Sequence, residues 1–535
     1  MTSLQKLRLH YQPVIPRIFH NYRQVGFSPG PESLSRKDVE EIRALFPKTH
    51  KQEMLLGHNS TIRNTKPLKV GVVFSGGQAA GGHNVIIGLY DGLKLLNEES
   101  TLIGFLEGPG GIVSGKSISL ERELLAKYRN QGGFDLIGSG RTKIETDEQL
   151  NAALKVVQNF QLDGLVIIGG DDSNTNAAVL AEYFLQKRCS TKVIGVPKTI
   201  DGDLQNEHLQ ISFGFDTACK TYSEMIGNIA RDALSAKKYT HIIKLMGRSA
   251  SHIALECAFR THPNLVFIGE EVAEKKITLK ALVDQITGVI EKRAQDGKNY
   301  GVILLPEGLI EFIPEMTTLI RELNGFMANA PNAPEEGILP QLSYEARACY
   351  ESLPEKIRHQ LLAERDPHGN VQVSKIETEQ LMIDLVGKEL KKRQVKAHLV
   401  GHFFGYEGRA GFPSNFDCNY CTTLGYIAAL LLDEGLTGYM AIVQNLHLPS
   451  TEWTIGALPI ASLLHMEQRM DRRRPVIQKA LVDLKGKPFQ VFTELRQRWV
   501  MEDDYQFPGP IQFYGDPVVT DLIPETMSLA FGSKG

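Results

Sequence analysis

Two stretches decide the fold: Leu165-Val166-Ile167-Ile168-Gly169-Gly170-Asp171-Asp172-Ser173-Asn174 and Val193-Ile194-Gly195-Val196-Pro197-Lys198-Thr199-Ile200-Asp201-Gly202-Asp203. Each is a short apolar run of buried-strand character that ends abruptly in a polar turn. The two turns lie about thirty residues apart and carry four aspartates and one lysine. In a parallel sheet both would open on the same edge, where ligands of α/β proteins bind. Carboxylates, an ammonium and small residues on one edge are the equipment for handling a metal-bound phosphate.

The same rhythm extends outward. Strand candidates are Lys69–Ser75, Leu102–Glu107, Gly164–Ile168, Val193–Val196, His241–Met246, Leu265–Ile268, Tyr300–Leu305, Ala397–His402 and Tyr439–Val443. Helical patterns such as Asn84–Asn97 and Glu148–Gln158 lie between them. This βαβα order predicts an α/β protein with mostly parallel sheets covered on both faces. Residues 1–66 read as an extension with one helical stretch near Arg36–Leu45. The stretch from about Glu311 to Gln394 breaks the rhythm. It is charged, helical in pattern and carries Pro331, Pro334 and Pro340, which predicts an inserted helical subdomain. The segment after about Leu448 reads as charged and helical, with a Pro- and Gly-containing tail at Tyr505–Gly535.

Composition narrows the class. The 535 residues, 42% hydrophobic and 23% charged, are ordinary for a globular protein of several domains. A formal net charge of −3 points to neither nucleic acid nor a membrane surface as partner. Six cysteines are too few for a disulfide scaffold, and Cys418-Asn-Tyr-Cys421 has no second CxxC or nearby His pair to complete a zinc site. The N-terminal stretch has no apolar core of signal-peptide length, so a cytoplasmic enzyme is expected and the sequon at Asn59 is chance.

Further turns recur at strand ends. Ser75–Asn84 is rich in glycine and joins a strand to a helix, as a backbone cradle for an anion or a plain βα turn. Gly138–Lys143 sets Arg141 and Lys143 among glycines, as a phosphate clamp or a solvated loop. Asp171 is placed to hold Mg²⁺, although Asp or Ser could also cap the following helix. In the second turn, unless Pro and Asp make only an ordinary loop, Asp201 can act as general base, Asp203 can support metal or orient its neighbour, Thr199 offers a hydroxyl and Lys198 a point charge for phosphate. Met246-Gly247-Arg248 brings a guanidinium to a helix start predicted over Ser249–Cys257, and Pro306-Glu307-Gly308 sets a carboxylate at a strand end.

Taken together, SGG at 75–77, GGDDS at 169–173, PKTIDGD at 197–203, MGR at 246–248, PEG at 306–308 and GYEGR at 405–409 resemble the phosphofructokinase superfamily. The resemblance is strongest to its long-chain pyrophosphate-dependent members and runs from about Pro67 to about Phe416, excluding the insertion. It implies two Rossmann-like parallel-sheet subdomains, with a phosphate-donor subdomain over 67–240 and a fructose 6-phosphate subdomain over 241–447. The helical insertion falls at about 311–394 of the second, between an extension over 1–66 and a C-terminal segment over 448–535. It implies Mg²⁺ as cofactor, pyrophosphate and fructose 6-phosphate as substrates, and a homodimer with shared active sites.

By the same resemblance Gly76 would approach the pyrophosphate and Arg141 would bind phosphate. Asp171 would bind Mg²⁺ with Asp203 in support, and Asp201 would take the proton from the sugar's C1 hydroxyl. Thr199 and Ile200 would line the sugar site, Met246, Gly247 and Arg248 would contact substrate, and Glu307 would bind sugar hydroxyls, with Arg248 joining Asp201, Asp172 and Lys198 as the catalytic residues. Tyr406 and Arg409 would bind the sugar phosphate, with Glu407 and Gly408 beside them among the substrate-binding residues, and Lys238 and Tyr239 would reach a partner subunit's site. ATP-dependent relatives typically carry glycine where Asp172 and Lys198 stand. A carboxylate at 172 would repel the α-phosphate of a nucleotide, and Lys198 would supply charge for pyrophosphate. Three other readings are an ATP-dependent enzyme, a kinase of the NAD- or diacylglycerol-kinase type, and a non-catalytic regulatory subunit. Asp172 and Lys198 oppose the first, PKTIDGD, MGR and PEG the second, and the retained Asp171, Asp201 and Asp203 the third.

Overall fold

The computed structural model describes residues 1–31, 37–329, 335–363, 371–469, 472–511, 513 and 515–532, and the chain divides into two compact units. The first comprises Met1–Ala218, Glu407–Ala480 and Gln512–Ile523; the second comprises Cys219–Tyr406, Leu481–Ile511 and Pro524–Gly535.

In the first unit the strands β1 (Val25–Pro29), β2 (Leu55–Asn59), β3 (Lys69–Ser75), β4 (Thr101–Phe105), β5 (Ser117–Ser119), β6 (Ser139–Gly140), β7 (Gly164–Gly169) and β8 (Lys192–Pro197) come first in the chain. In the second unit β9 (Tyr239–Leu245), β10 (Leu265–Val266), β11 (Tyr300–Pro306) and β12 (Leu399–Phe404) form a parallel sheet of order β10-β11-β9-β12. The chain then returns to the first unit with β13 (Tyr439–Gln444), β14 (Thr454–Pro459), β15 (Leu464–Arg469) and β16 (Arg472–Ile477). The first unit's large sheet runs β1-β2-β14-β13-β8-β7-β3-β4-β5, with β6 paired to β3. Its centre, β13-β8-β7-β3-β4, is parallel. These central strands are apolar almost throughout because both faces are covered, and β7 is buried at every position. The register sets Gly169 opposite Pro197, so the turns after β7 and β8 leave the sheet at one height.

Every predicted strand is present, with ends moved by a few residues. The expected helices also form, over Gly82–Leu96, Asp147–Asn159 and His252–Thr261. Helix Val39–Leu45 occupies the predicted stretch of the extension, while Arg36 lies outside the described residues. The extension also carries β1 and β2, which continue the large sheet at its antiparallel edge. The insertion is helical: Pro314–Asn329, Tyr344–Ser352, Glu355–Leu362 and Thr378–Lys392 stand between β11 and β12. Pro340 falls in a short 3₁₀ turn, and Pro331 and Pro334 lie outside the described residues. The segment after Leu448 differs from its helical reading. It opens with β14 to β16 and only then forms helix Lys487–Trp499 and, near its end, Glu525–Phe531. β14 is only a short buried run, and β15 and β16 are a short antiparallel pair rich in charge, so none carries a long apolar periodicity. Among the described residues no helix is long and apolar enough to cross a membrane.

Within the first unit, helices Gly82–Leu96 and Asn415–Asp433 cross at glycine. A Cβ on Gly88 would overlap the Thr422 carbonyl, and one on Gly425 would overlap the Val85 carbonyl. Both helices are buried along nearly their whole length, so neither can back away. Gly88→Val is therefore expected to lower the unfolding free energy by ~1–3 kcal/mol or more, as overpacking does. A denaturant midpoint equal to that of the parent would refute the close crossing.

Candidate active site

At the carboxyl edge of the large sheet three turns meet. After β3, Gly76 adopts φ +88°, a left-handed conformation that suits glycine, and its N–H donates to the Gly140 carbonyl at 2.9 Å. Ser139 Oγ donates to the Gly76 carbonyl at 2.6 Å. A Cβ on Gly76 would stand 3.3 Å from Lys198 Nζ, so the glycine keeps space beside that ammonium.

After β7, Gly170 takes the N-cap position of helix Asp171–Gln186, and Asp171 and Asp172 lie in its first turn. Neither aspartate is the cap, and both are charges favoured by the helix N-terminus. Asp172 Oδ1 accepts from Lys143 Nζ at 3.1 Å. Ser173, also free of capping duty, donates from Oγ to Ser75 Oγ at 2.7 Å and so joins this turn to the first.

After β8, the Lys198 N–H donates to the Gly169 carbonyl at 2.9 Å, which extends the β7–β8 ladder into the turns. Asn174 completes the tie. It is fully buried, and its Nδ2 donates to the Gly169 carbonyl at 2.6 Å and the Gly170 carbonyl at 2.9 Å, with the Val196 carbonyl at 3.4 Å. Gly195 leaves the room that Asn174 fills, since a Cβ there would overlap Asn174 Oδ1. In the same turn Ser212 Oγ donates to the Thr199 carbonyl at 3.0 Å, and Thr199 Oγ1 accepts from the Asp201 N–H at 3.1 Å. Ile200 is buried, and Asp201 remains half-buried.

The electrostatics are crowded. Burial depresses the Lys198 ammonium to about 8, helped by Arg409 and opposed by Asp201, Asp171 and Asp203. Burial and the neighbouring Asp201 push the Asp203 carboxyl up to about 7, with Lys479 pulling the other way. Lys479 Nζ lies 3.7 Å from Asp171 Oδ2 and 3.6 Å from Asp203 Oδ2. Arg409 Nη1 donates to the Gln78 carbonyl at 3.3 Å and stands over Gly77, so it belongs with the first turn. Glu407 and Gly408 sit in a 3₁₀ turn just before it. Arg141 follows β6 and is exposed.

The residues of the second unit form their own strand-end cluster. Gly247 takes φ +120°, and its N–H donates to Glu307 Oε2 at 3.2 Å. The Glu307 N–H donates to the Leu245 carbonyl at 2.8 Å, and the Gly308 N–H to the Gly247 carbonyl at 3.2 Å. A Cβ on Gly308 would overlap the Arg248 carbonyl, so the turns after β9 and β11 lock together only with glycine there. Met246 is buried, and Arg248 Nε stands 3.9 Å from Glu311 Oε2. Tyr406 is 75% exposed. Lys238 and Tyr239 lie at the opposite, amino end of β9 from Met246–Arg248, a separation of about 20 Å for seven residues of strand. They are not part of the same cluster within one chain.

Among the described residues no group of three or more His, Cys, Asp and Glu is arranged to hold a metal ion. Mg²⁺ needs no such cage, since it binds through one or two carboxylates plus substrate phosphates and water. The donor set fits it: Asp171 and Asp203 share a cation already, the ammonium of Lys479. Sequence reasoning missed Lys479, a lone lysine in a charged segment with no motif around it. It also gave Asn174 no role, although a polar residue behind a buried strand was a usable signal. Cys418 and Cys421 are buried thiols, with Cys418 pushed up to about 12 by burial.

The phosphofructokinase family model matches residues 69–432. The chain belongs to the phosphofructokinase family. It is 51% identical to the pyrophosphate–fructose 6-phosphate 1-phosphotransferase of Treponema pallidum (strain Nichols), over 99% of this chain and 97% of the relative. It is 50% identical to the subunit beta 2 of the Arabidopsis thaliana enzyme of the same name, over 100% of this chain and 95% of that one. The crystal structure of a pyrophosphate-dependent phosphofructokinase from Marinobacter aquaeolei superposes with a TM-score of 0.54 at 15% identity, covering 82% of this chain and 93% of that one, a likeness of fold. The phosphofructokinase-like fold, with two parallel-sheet units and a helical insertion, is thus the architecture of this family member.

Proposed function

We propose that the chain catalyses reversible transfer of a phosphoryl group from pyrophosphate to the C1 hydroxyl of fructose 6-phosphate, giving fructose 1,6-bisphosphate and phosphate. The observation that carries this reading is the buried Lys198, held against Gly76 and beside Asp172's turn, in a chain alike over its full length to pyrophosphate–fructose 6-phosphate 1-phosphotransferases.

In this reading Gly76 brings backbone close to the pyrophosphate, and Lys198 and Arg141 meet its charge. Asp171, supported by Asp203, would hold Mg²⁺, which would supply positive charge to the phosphates. Asp201 accepts the C1 hydroxyl proton, and its backbone is fixed for this by the Thr199 hydroxyl. Arg248, with Met246 and Gly247, contacts the substrates, Thr199 and Ile200 line the sugar, and Glu307 accepts from sugar hydroxyls. Tyr406 and Arg409 take the sugar phosphate, with Glu407 and Gly408 beside them in the substrate-binding turn. Asp172, fixed in the first helical turn, repels the further phosphate of a nucleotide. Lys238 and Tyr239 serve a partner subunit's site, so the active unit is at least a dimer, which we assign as a homodimer. A cytoplasmic setting suits the free thiols at all six cysteines.

The deciding assay is Mg²⁺-dependent formation of fructose 1,6-bisphosphate with pyrophosphate or ATP as donor. Activity is expected with pyrophosphate, and a shift toward ATP is expected in the double variant Asp172→Gly/Lys198→Gly. Turnover with ATP alone in the parent chain would overturn the donor assignment. Asp201→Asn should lower kcat by ~10²–10⁴-fold, the usual worth of general-base catalysis, with an unchanged unfolding midpoint. Near-parental turnover would remove the base from Asp201. The profile of kcat/KM for pyrophosphate reports groups of the free enzyme. Lys198 is charged below about 8 and loses its proton above it. The value for pyrophosphate should therefore fall as pH rises beyond about 8, and Lys198→Gln should lack that alkaline limb. A parent profile flat through that range would count against Lys198 as the phosphate's cation.

A further inference from the structure

Lys479 lies two residues beyond β16, in a segment that no motif of the family reading covers. Its ammonium stands almost equidistant from Asp171 Oδ2 and Asp203 Oδ2, at 3.7 and 3.6 Å. Those carboxylates come from different strand-end turns and are the two to which the metal is assigned. The backbone beside the lysine is tied to one of them: the Ala480 N–H donates to the Asp203 carbonyl at 2.8 Å. The Asp203 side chain is only 8% exposed while that of Lys479 is 39% exposed. One end of the ion pair is thus fixed and the other has an open path to water. Two carboxylates this close, with Asp201 adjacent, repel one another, and the Lys479 cation between them opposes that repulsion.

We propose that Lys479 is an intramolecular counter-ion that occupies the place of the divalent cation between Asp171 and Asp203 until metal arrives, and that metal binding displaces it. The inference rests on the assignment of Asp171 and Asp203 to the metal. The lysine is a positioning residue: it keeps the two turns together in the metal-free enzyme and sets the metal's apparent affinity by competing with it. A flexible four-carbon stem with a compact charge suits such a movable cation.

The test is direct Mn²⁺ binding to the full chain without pyrophosphate, followed by electron paramagnetic resonance of the free ion. Lys479→Met should bind Mn²⁺ about five- to tenfold more tightly than the parent, since a competing ion pair has been removed. Unchanged or weaker binding by Lys479→Met, with binding lost in Asp171→Asn, overturns the counter-ion and leaves the metal assignment standing. Full binding by Asp171→Asn overturns the metal assignment and this inference with it. A second measurement uses the parent protein alone, should Lys479→Met fail to fold. Mn²⁺ should raise the labelling of Lys479 by an amine-reactive reagent, read by mass spectrometry, because the ammonium leaves its two carboxylates. Labelling of Lys479 that does not respond to Mn²⁺ refutes the displacement.

Discussion

The site of the first unit depends on compensating carboxylates that the fold forces together. Asp171, Asp201 and Asp203 hang on the ends of neighbouring parallel strands, and the β7–β8 register fixes those ends at one height. Their charges crowd together there, and cations come from elsewhere to meet them. Lys198 answers from inside the same turn, and Lys479 from a segment nearly three hundred residues downstream. The depressed ammonium and the raised carboxyl are two sides of one constraint. Burial disfavours each charge alone, and each persists because its opposite is near.

Holding such charges in place requires a frame that does not yield, and here the frame is backbone. The Lys198 N–H and the Asn174 amide both reach the Gly169 carbonyl, and Asn174 also reaches Gly170. Removing that amide would leave buried carbonyls with fewer donors, a cost of the order of 1–3 kcal/mol for an unsatisfied group. Glycine works on the opposite side of the same problem. Gly195 gives Asn174 its volume and Gly76 gives Lys198 its own. The abundance of glycine in this chain is therefore not general looseness, and at these two positions it is the space that lets a polar side chain sit against main chain.

How much of this was legible in the sequence follows from range. The central strands and the turns after them were readable because a buried parallel strand is a local apolar run and its turn is the next few residues. GGDDS and PKTIDGD therefore stand out as strand-end turns, and the structure sets Asp172 inside the helix rather than at its cap. The antiparallel edge was not readable. β1, β2 and β14 are joined through pairings such as Leu56 with Gly456, about four hundred residues apart, and short edge strands lack periodicity of their own. Lys479 failed for the same reason, since its meaning lies wholly in two residues distant in sequence.

The second unit shows the same logic with less charge. Glu307 is held by the Gly247 N–H, and Gly308 is required by the Arg248 carbonyl, so two turns define one carboxylate and one guanidinium attachment point. The placement of Lys238 and Tyr239 then has a geometric consequence. A strand of seven residues spans about 20 Å, so groups at its two ends cannot serve one small sugar phosphate. If both ends of β9 contact substrate, they contact different molecules of it.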